Sequence, residues 1–226
     1  MKLTPDMLTG KSREHLVNLP TPYSSHHFLQ AKAMKAFQGL RQSAVKHGFN
    51  LQPASSFRDF ARQQLIWNGK FSGERKVHDD AGNALDLRLL DDWQKSQAIL
   101  RWSALPGASR HHWGTEIDIF DPDLLPQGQS LQLEPWEYEK GGYFFELSEF
   151  LTENLPHFDF ALPFTQMPKN KKIGREPWHI SYLPLAEQAK QRFSKGVLLQ
   201  AWENEDIAGK AVLQAYLPIV FESYIL

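Results

Sequence analysis

Cysteine is absent from the 226 residues, and that one absence removes disulfide frameworks, thiolate zinc sites, iron–sulfur clusters and a cysteine nucleophile together. Any metal has to be held by imidazole and carboxylate, so the nine histidines are the place to search. A basic excess is missing as well: 25 Lys+Arg face 26 Asp+Glu, for a formal net charge of -1. A surface that grips phosphates along a nucleic acid needs such an excess, so no nucleic-acid partner is expected. No uncharged apolar run approaches the ~20 residues of a spanning helix, so no membrane partner is expected either. The N-terminal MKLTPDMLTGKSREHLVNLP has neither an apolar signal core nor a small-residue cleavage site, which makes the cytoplasm the expected location, or the periplasm if a leader has been trimmed away. Internal repeats and low-complexity linkers are lacking too.

What is present is ordinary globular composition, 42% hydrophobic and 23% charged, on a chain long enough to bury a sizeable core without a disulfide or metal. Residues 24–48 read as a helix with Ala33, Phe37, Leu40 and Ala44 on one face and Gly48 just past its end. A short strand is expected at Leu51–Ser56, then a helix capped by Asp59 with Phe60, Gln64 and Trp67 along one side. Lys70–Leu90 reads as loop or weak hairpin, and Asp92–Leu105 as a helix stopped by Pro106-Gly107. Thr115, Ile117 and Ile119 alternate with Glu116, Asp118 and Phe120, the pattern of a half-buried strand. Phe144, Leu147, Leu151 and Leu155 mark a helix, Phe158–Phe164 and His179–Leu183 strands. Beyond Pro184 the pattern is helical, with Gly196 as a stop and Ile207–Leu217 as a further helix. Helices and strands mix without regular βαβ alternation, which makes the fold class α+β. The expected organisation is a single domain over 1–226, with a core at about 28–183 between an N-terminal elaboration, 1–27, and a helical C-terminal extension, 184–226.

Three strings carry possible chemistry. In Ser109-Arg110-His111-His112-Trp113-Gly114-Thr115-Glu116-Ile117-Asp118, an imidazole before a strand and a carboxylate within it can supply two zinc ligands, or simply a surface or turn-capping acid. In Arg175-Glu176-Pro177-Trp178-His179, proline forbids an i, i+3 helical pair. A bend there would bring Glu176 and His179 together, as a metal ligand and a proton acceptor or as a Trp-anchored loop with a hydrogen-bonded histidine. In Ser55-Ser56-Phe57-Arg58-Asp59-Phe60-Ala61-Arg62-Gln63, Arg58 can aim at a carboxylate or a developing oxyanion, or form a structural salt bridge.

Taken together, the strings resemble the VanY-type D-alanyl-D-alanine carboxypeptidases, zinc peptidases of bacterial cell-wall stem peptides. Ser109, His111, Gly114 and Asp118 meet the family's first pattern; Glu176, Trp178 and His179 meet its Glu-x-Trp-His; Ser55 and Arg58 meet its Ser-x-x-Arg. Phe144–Phe164 looks like the helix-then-strand segment between them, so the likeness runs from about Ala31 to Leu183. It implies a small antiparallel sheet with flanking helices around one zinc ion, held by His111, Asp118 and His179. It further implies Glu176 as general base, Arg58 as oxyanion stabiliser, and Ser109 and Gln63 as lining for the substrate's terminal carboxylate. His112, one residue past the ligand position, is assigned to packing or support. Where relatives commonly carry a small residue, this chain has Glu116. Strand alternation puts it on the Asp118 side, towards the presumed cleft, where it is expected to bind a cationic substrate group, with a salt bridge to Arg110 as the alternative.

The resemblance implies a carboxypeptidase that removes C-terminal D-Ala from muropeptides. A cytoplasmic location favours an L,D-carboxypeptidase that converts tetrapeptide to tripeptide in wall recycling, because trimming pentapeptide precursors would deplete the cell's own building blocks. The alternatives are a D,D-carboxypeptidase, an L-alanyl-D-glutamate-type endopeptidase and, without catalysis, a zinc-binding interaction module.

Overall fold

Alternation in Glu116–Phe120 sends isoleucines to one side of a strand and acids to the other, and the fold is organised around that strand. The computed structural model describes residues 3–19, 26–166 and 168–225. A short helix α1 (Pro5–Leu8) precedes an antiparallel pair, β1 (Val17–Asn18) and β2 (Phe28–Leu29), followed by α2 (Ala31–Lys46), β3 (Gln52–Ser55) and α3 (Phe60–Phe71). Then come α4 (Asp92–Leu100), β4 (Glu116–Phe120), α5 (Phe145–Asn154), β5 (Phe160–Ala161) and β6 (His179–Tyr182). Four helices follow: α6 (Leu183–Arg192), α7 (Lys195–Ala201), α8 (Lys210–Ala215) and α9 (Leu217–Tyr224). The main sheet runs β3-β4-β6-β5 and every pairing is antiparallel. The α+β class with a small antiparallel sheet is therefore what the chain adopts.

The core consists of two apolar clusters, one of them built on this sheet. Ile117, Ile119 and Ile180 project from one face into the first, which takes Ala33, Phe37, Leu40 and Ala44 from α2 and Leu147, Phe150 and Leu151 from α5. The second joins Phe60 and Trp67 of α3 and Ile99 of α4 to Ala189, Leu198, Trp202, Leu213 and Val220 from beyond the sheet. The C-terminal helices thus supply much of a core. Two tryptophan N–H groups fasten them, Trp67 to the Ala208 carbonyl at 2.9 Å and Trp202 to the Pro106 carbonyl at 2.7 Å.

Several element boundaries differ from expectation, each for a local reason. α2 starts at Ala31 because Gln30 is tied through its backbone and side chain to the carbonyls of Gly114 and Trp113; residues 24 and 25 lie outside the described part. Along α3 the buried seam is Phe60, Gln63 and Trp67, not Gln64. α4 ends at Leu100 rather than Leu105, since the Arg101 carbonyl accepts from Gly174 N–H and the Ala104 carbonyl from the Gln63 amide. The strand expected at Phe158–Phe164 shrinks to Phe160–Ala161, because Pro156 opens a 3-10 turn and Asp159 closes it in the left-handed region at φ 59°. Gly196 does not stop a helix; the chain breaks earlier, where Phe193 turns into the second cluster and Ser194 caps α7. The helix expected at Ile207–Leu217 shortens to α8, Lys210–Ala215, which starts after Gly209 in the left-handed region at φ 71°, and a separate helix, α9, opens at Leu217 with Pro218 in its first turn. β4 is buried on both faces, not one.

Gly10 shows how tightly the N-terminal segment packs against His112 and Phe60. Its φ is +77°, and an added Cβ would lie 2.4 Å from His112 Nδ1 and 2.9 Å from Phe60 N. Gly48 has a similar φ, +87°, and nothing within 4 Å. Gly10→Ala should therefore cost about 2–4 kcal/mol, conformational strain plus overpacking, against about 1 kcal/mol for Gly48→Ala. Urea unfolding midpoints of the two variants will show the difference.

Candidate metal centre

Each side chain of the site is aimed by an identifiable piece of backbone. β4 and β6 pair so that Asp118 lies directly opposite His179 and Glu116 opposite Ser181. A bulge between Pro53 and Ser55 sets Ser55 opposite Asp118 and points the chain after β3 towards the same place. His111 sits in a 3-10 turn, Arg110–Trp113, that ends on Gly114 at φ 67°. Glu176 stands at a turn closed by His179 N–H to its own carbonyl at 3.2 Å.

His111, Asp118 and His179 converge, with one ligand atom from each lying within 4.8 Å of the others, and all three are buried. His111 Nε2 lies 3.2 Å from Asp118 Oδ2, and His179 Nδ1 lies 3.0 Å from Asp118 Oδ1. The outer nitrogens are already committed. Nδ1 of His111 faces the Ser56 carbonyl at 2.7 Å, and Nε2 of His179 faces Glu116 Oε2 at 2.8 Å. Both partners only accept, so both outer nitrogens donate. With neutral rings both inner nitrogens would point lone pairs at the Asp118 carboxylate, so the arrangement calls for a cation there, either a proton or a metal ion. Two imidazoles and a carboxylate suit zinc.

The electrostatics agree. Burial alone would lower His179, but the bonds to Asp118 and Glu116 override it and raise its pKa to about 9. Burial would raise Asp118, yet His111 and His179 hold it far below the usual carboxylate range. His111 is lowered by burial against the pull of Asp118. The pocket therefore favours a positive charge beside Asp118, and a metal that binds there displaces the proton.

Glu176 lies beside this triad, its Oε2 3.6 Å from His179 Nδ1. Burial pushes its pKa up to about 7, opposed by His179 and supported by Asp118. Arg58 reaches Asp118 Oδ2 at 3.9 Å, and its fork is braced by Gln63 Oε1 at 2.9 Å and Ser55 Oγ at 3.2 Å.

Two residues expected to line the substrate pocket are placed otherwise. Gln63 is 0% exposed, with Oε1 accepting from Arg58 and Nε2 donating to the Ala104 carbonyl at 2.6 Å. Both ends of its amide are used inside the protein, so it holds Arg58 rather than a ligand. Glu116 shares the Asp118 face of β4 but is also 0% exposed, closed in by Arg110 at 3.2 Å. The alternative expectation, a salt bridge to Arg110, is the arrangement present. Ser109, 2% exposed, heads the His111 turn without a capping bond from its hydroxyl. His112 is buried apart from the triad. Its Nε2 accepts from Gly107 N–H at 3.0 Å and its Nδ1 faces the Arg58 carbonyl at 2.5 Å, a neutral ring with a pKa taken by burial down to about 3.

Lys70 was missed in the sequence. It lies half-buried at the end of α3, donates to Ser103 Oγ at 2.7 Å, and is close enough to Glu176 to favour that carboxylate's charge. Its position seven residues after Gln63, two turns along the same helix face, was the available signal.

Residues 26–185 match the VanY family, described as D-alanyl-D-alanine carboxypeptidase, and every residue discussed above as a ligand, base or brace lies within that span. The chain belongs to the VanY family. It is 73% identical over 121 residues to an uncharacterised protein of Haemophilus influenzae, covering 54% of this chain and 92% of that one. Among solved structures, the fold is similar to VanYB in complex with D-alanine-D-alanine, at TM-score 0.52 and 21% identity over 90% of both chains. It is also similar to the LdcB LD-carboxypeptidase, at TM-score 0.54 and 18% identity, covering 91% of this chain and 80% of that one.

Neighbouring histidines separate ligand from scaffold. His111→Ala should leave the dialysed protein without stoichiometric zinc. His112→Ala should keep the zinc and lose about 2–4 kcal/mol of stability, because two buried backbone groups lose their partner and a cavity opens. Metal analysis and urea unfolding of both variants will measure this.

Proposed function

We propose that this VanY-family chain is a zinc-dependent carboxypeptidase that removes the C-terminal D-alanine of peptidoglycan stem peptides. The observation that carries the reading is the convergence of His111, Asp118 and His179, next to a half-buried Glu176 and a braced Arg58. One zinc ion held by His111, Asp118 and His179 would supply Lewis-acid polarisation and make water more acidic.

The chain's own groups perform the rest. Glu176, with its pKa raised to about 7, accepts the proton of the attacking water and returns it to the leaving amine at neutral pH. Arg58, fixed by Gln63 and Ser55, presents its guanidinium to the carbonyl oxygen as charge develops there. Because Gln63 and Ser55 hold the fork beforehand, little reorganisation is needed as the carbonyl rehybridises. Ser109 remains the candidate contact for the terminal carboxylate of the peptide.

The finer reading is an L,D-carboxypeptidase that trims tetrapeptides to tripeptides from recycled muropeptides in the cytoplasm. Its support is chemical economy: a cytoplasmic enzyme that cut D-Ala–D-Ala would consume nascent precursors. The likeness to VanYB and LdcB is compatible with either bond, so the substrates have to be compared directly. Incubation with tetrapeptide and pentapeptide side by side, read by mass, should show loss of one alanine from the tetrapeptide. Loss from the pentapeptide alone makes the enzyme a D,D-carboxypeptidase, an internal cut makes it an endopeptidase, and no product overturns catalysis.

Glu176→Gln should retain zinc while kcat falls by about 10²–10⁴-fold, since the amide cannot accept the proton. Near-normal turnover in that variant removes Glu176 from the reaction.

A further inference from the structure

Glu116 lies behind His179, on the side away from Asp118, and its surroundings are fully specified. Oε2 accepts from His179 Nε2 at 2.8 Å. Oε1 accepts from Ser181 Oγ at 2.8 Å, Thr115 Oγ1 at 3.0 Å and Arg110 at 3.2 Å. Arg110 donates to Ser181 Oγ as well, at 2.8 Å, so carboxylate, hydroxyl and guanidinium form a closed ring. Arg110 is held over the rings of Trp113 and Phe164 at 5.1 and 5.8 Å, and Phe164 also leans on His179 at 4.8 Å.

A buried ion pair is a weak source of stability, since apolar residues of similar volume are often as stable or more so. This pair does something that apolar residues could not. A carboxylate that accepts from the rear nitrogen of an imidazole fixes the tautomer, orients the ring and strengthens the lone pair on the other nitrogen. Nothing comparable stands behind His111, whose rear nitrogen meets a neutral carbonyl, that of Ser56. The two histidines are therefore unequal donors.

We propose that Glu116 is a positioning residue of the metal centre: it holds His179 as the Nδ1 donor and strengthens it, while Arg110 and Ser181 hold Glu116. The inference rests on the zinc reading above and gives Glu116 a role behind the metal in place of substrate recognition.

The test is zinc affinity, measured by competition against a chromophoric chelator after metal removal, alongside urea unfolding of the metal-free protein. Glu116→Gln should weaken zinc binding by about 10–100-fold and alter the visible spectrum of the cobalt-substituted protein. Because the variant leaves Arg110 buried without its counter-charge, a second variant carries Glu116→Gln together with Arg110→Gln, which removes both charges. That double variant should recover stability without recovering zinc affinity. A zinc affinity equal to wild type in either folded variant, with an unchanged cobalt spectrum, overturns the proposal and leaves a structural salt bridge. Failure of the wild-type chain to bind zinc at all overturns the metal reading itself, so the two failures are told apart.

Discussion

The antiparallel pairing of β4 with β6 is the constraint on which the rest depends. It sets Asp118 directly opposite His179 on one face while Ile117 faces Ile180 across the same register on the other. A slip of one residue would exchange the faces, turning the acids into the apolar cluster and the isoleucines into the metal centre. The aliphatic cluster built on α2 and α5 therefore does more than stabilise the sheet: it specifies the register, and the register brings Asp118 and His179 together. The bulge in β3 extends the same logic, since Ser55 opposite Asp118 is what brings Arg58 within reach of the site.

Much of this was legible in the sequence because the signals were local. Helical spacing identified the buried face of α2 residue for residue, Ala33, Phe37, Leu40 and Ala44, and Asp59 caps α3 through the Arg62 N–H as its residue type suggests. The three motif strings contain the residues that converge on the centre, His111, Asp118 and His179 with Glu176 and Arg58 beside them. What the sequence concealed was depth. Strand alternation reports which side of β4 Glu116 occupies, but whether that side meets solvent depends on Arg110 and Ser181, brought from other elements. Gln63 is a similar case, since nothing in α3 itself reveals that Ala104 and Arg58 take up both ends of its amide. The helix boundaries that moved did so for the same reason: distant groups claimed the carbonyls of Arg101 and Ala104.

Protein groups also hold the outer sides of the candidate ligands. Ser56 and Glu116 set the rear nitrogens of the two imidazoles, and His112 clips the Arg58 carbonyl to the Gly107 N–H, fixing the segments that carry Arg58 and His111. Neither apolar cluster includes His111, Asp118 or His179.

The bond from Trp202 to the Pro106 carbonyl has a bearing on the order in which the molecule is made. Of the three candidate ligands His179 comes last in the chain, so all three are synthesised before Trp202. At that stage the loop before His111 lacks its anchor, and Phe60, Trp67 and Ile99 lack their C-terminal partners. Vectorial synthesis thus separates possession of the ligands from completion of the scaffold around them. The apolar side chains of α3 and α4 are covered only once the residues from Ala186 onward are in place.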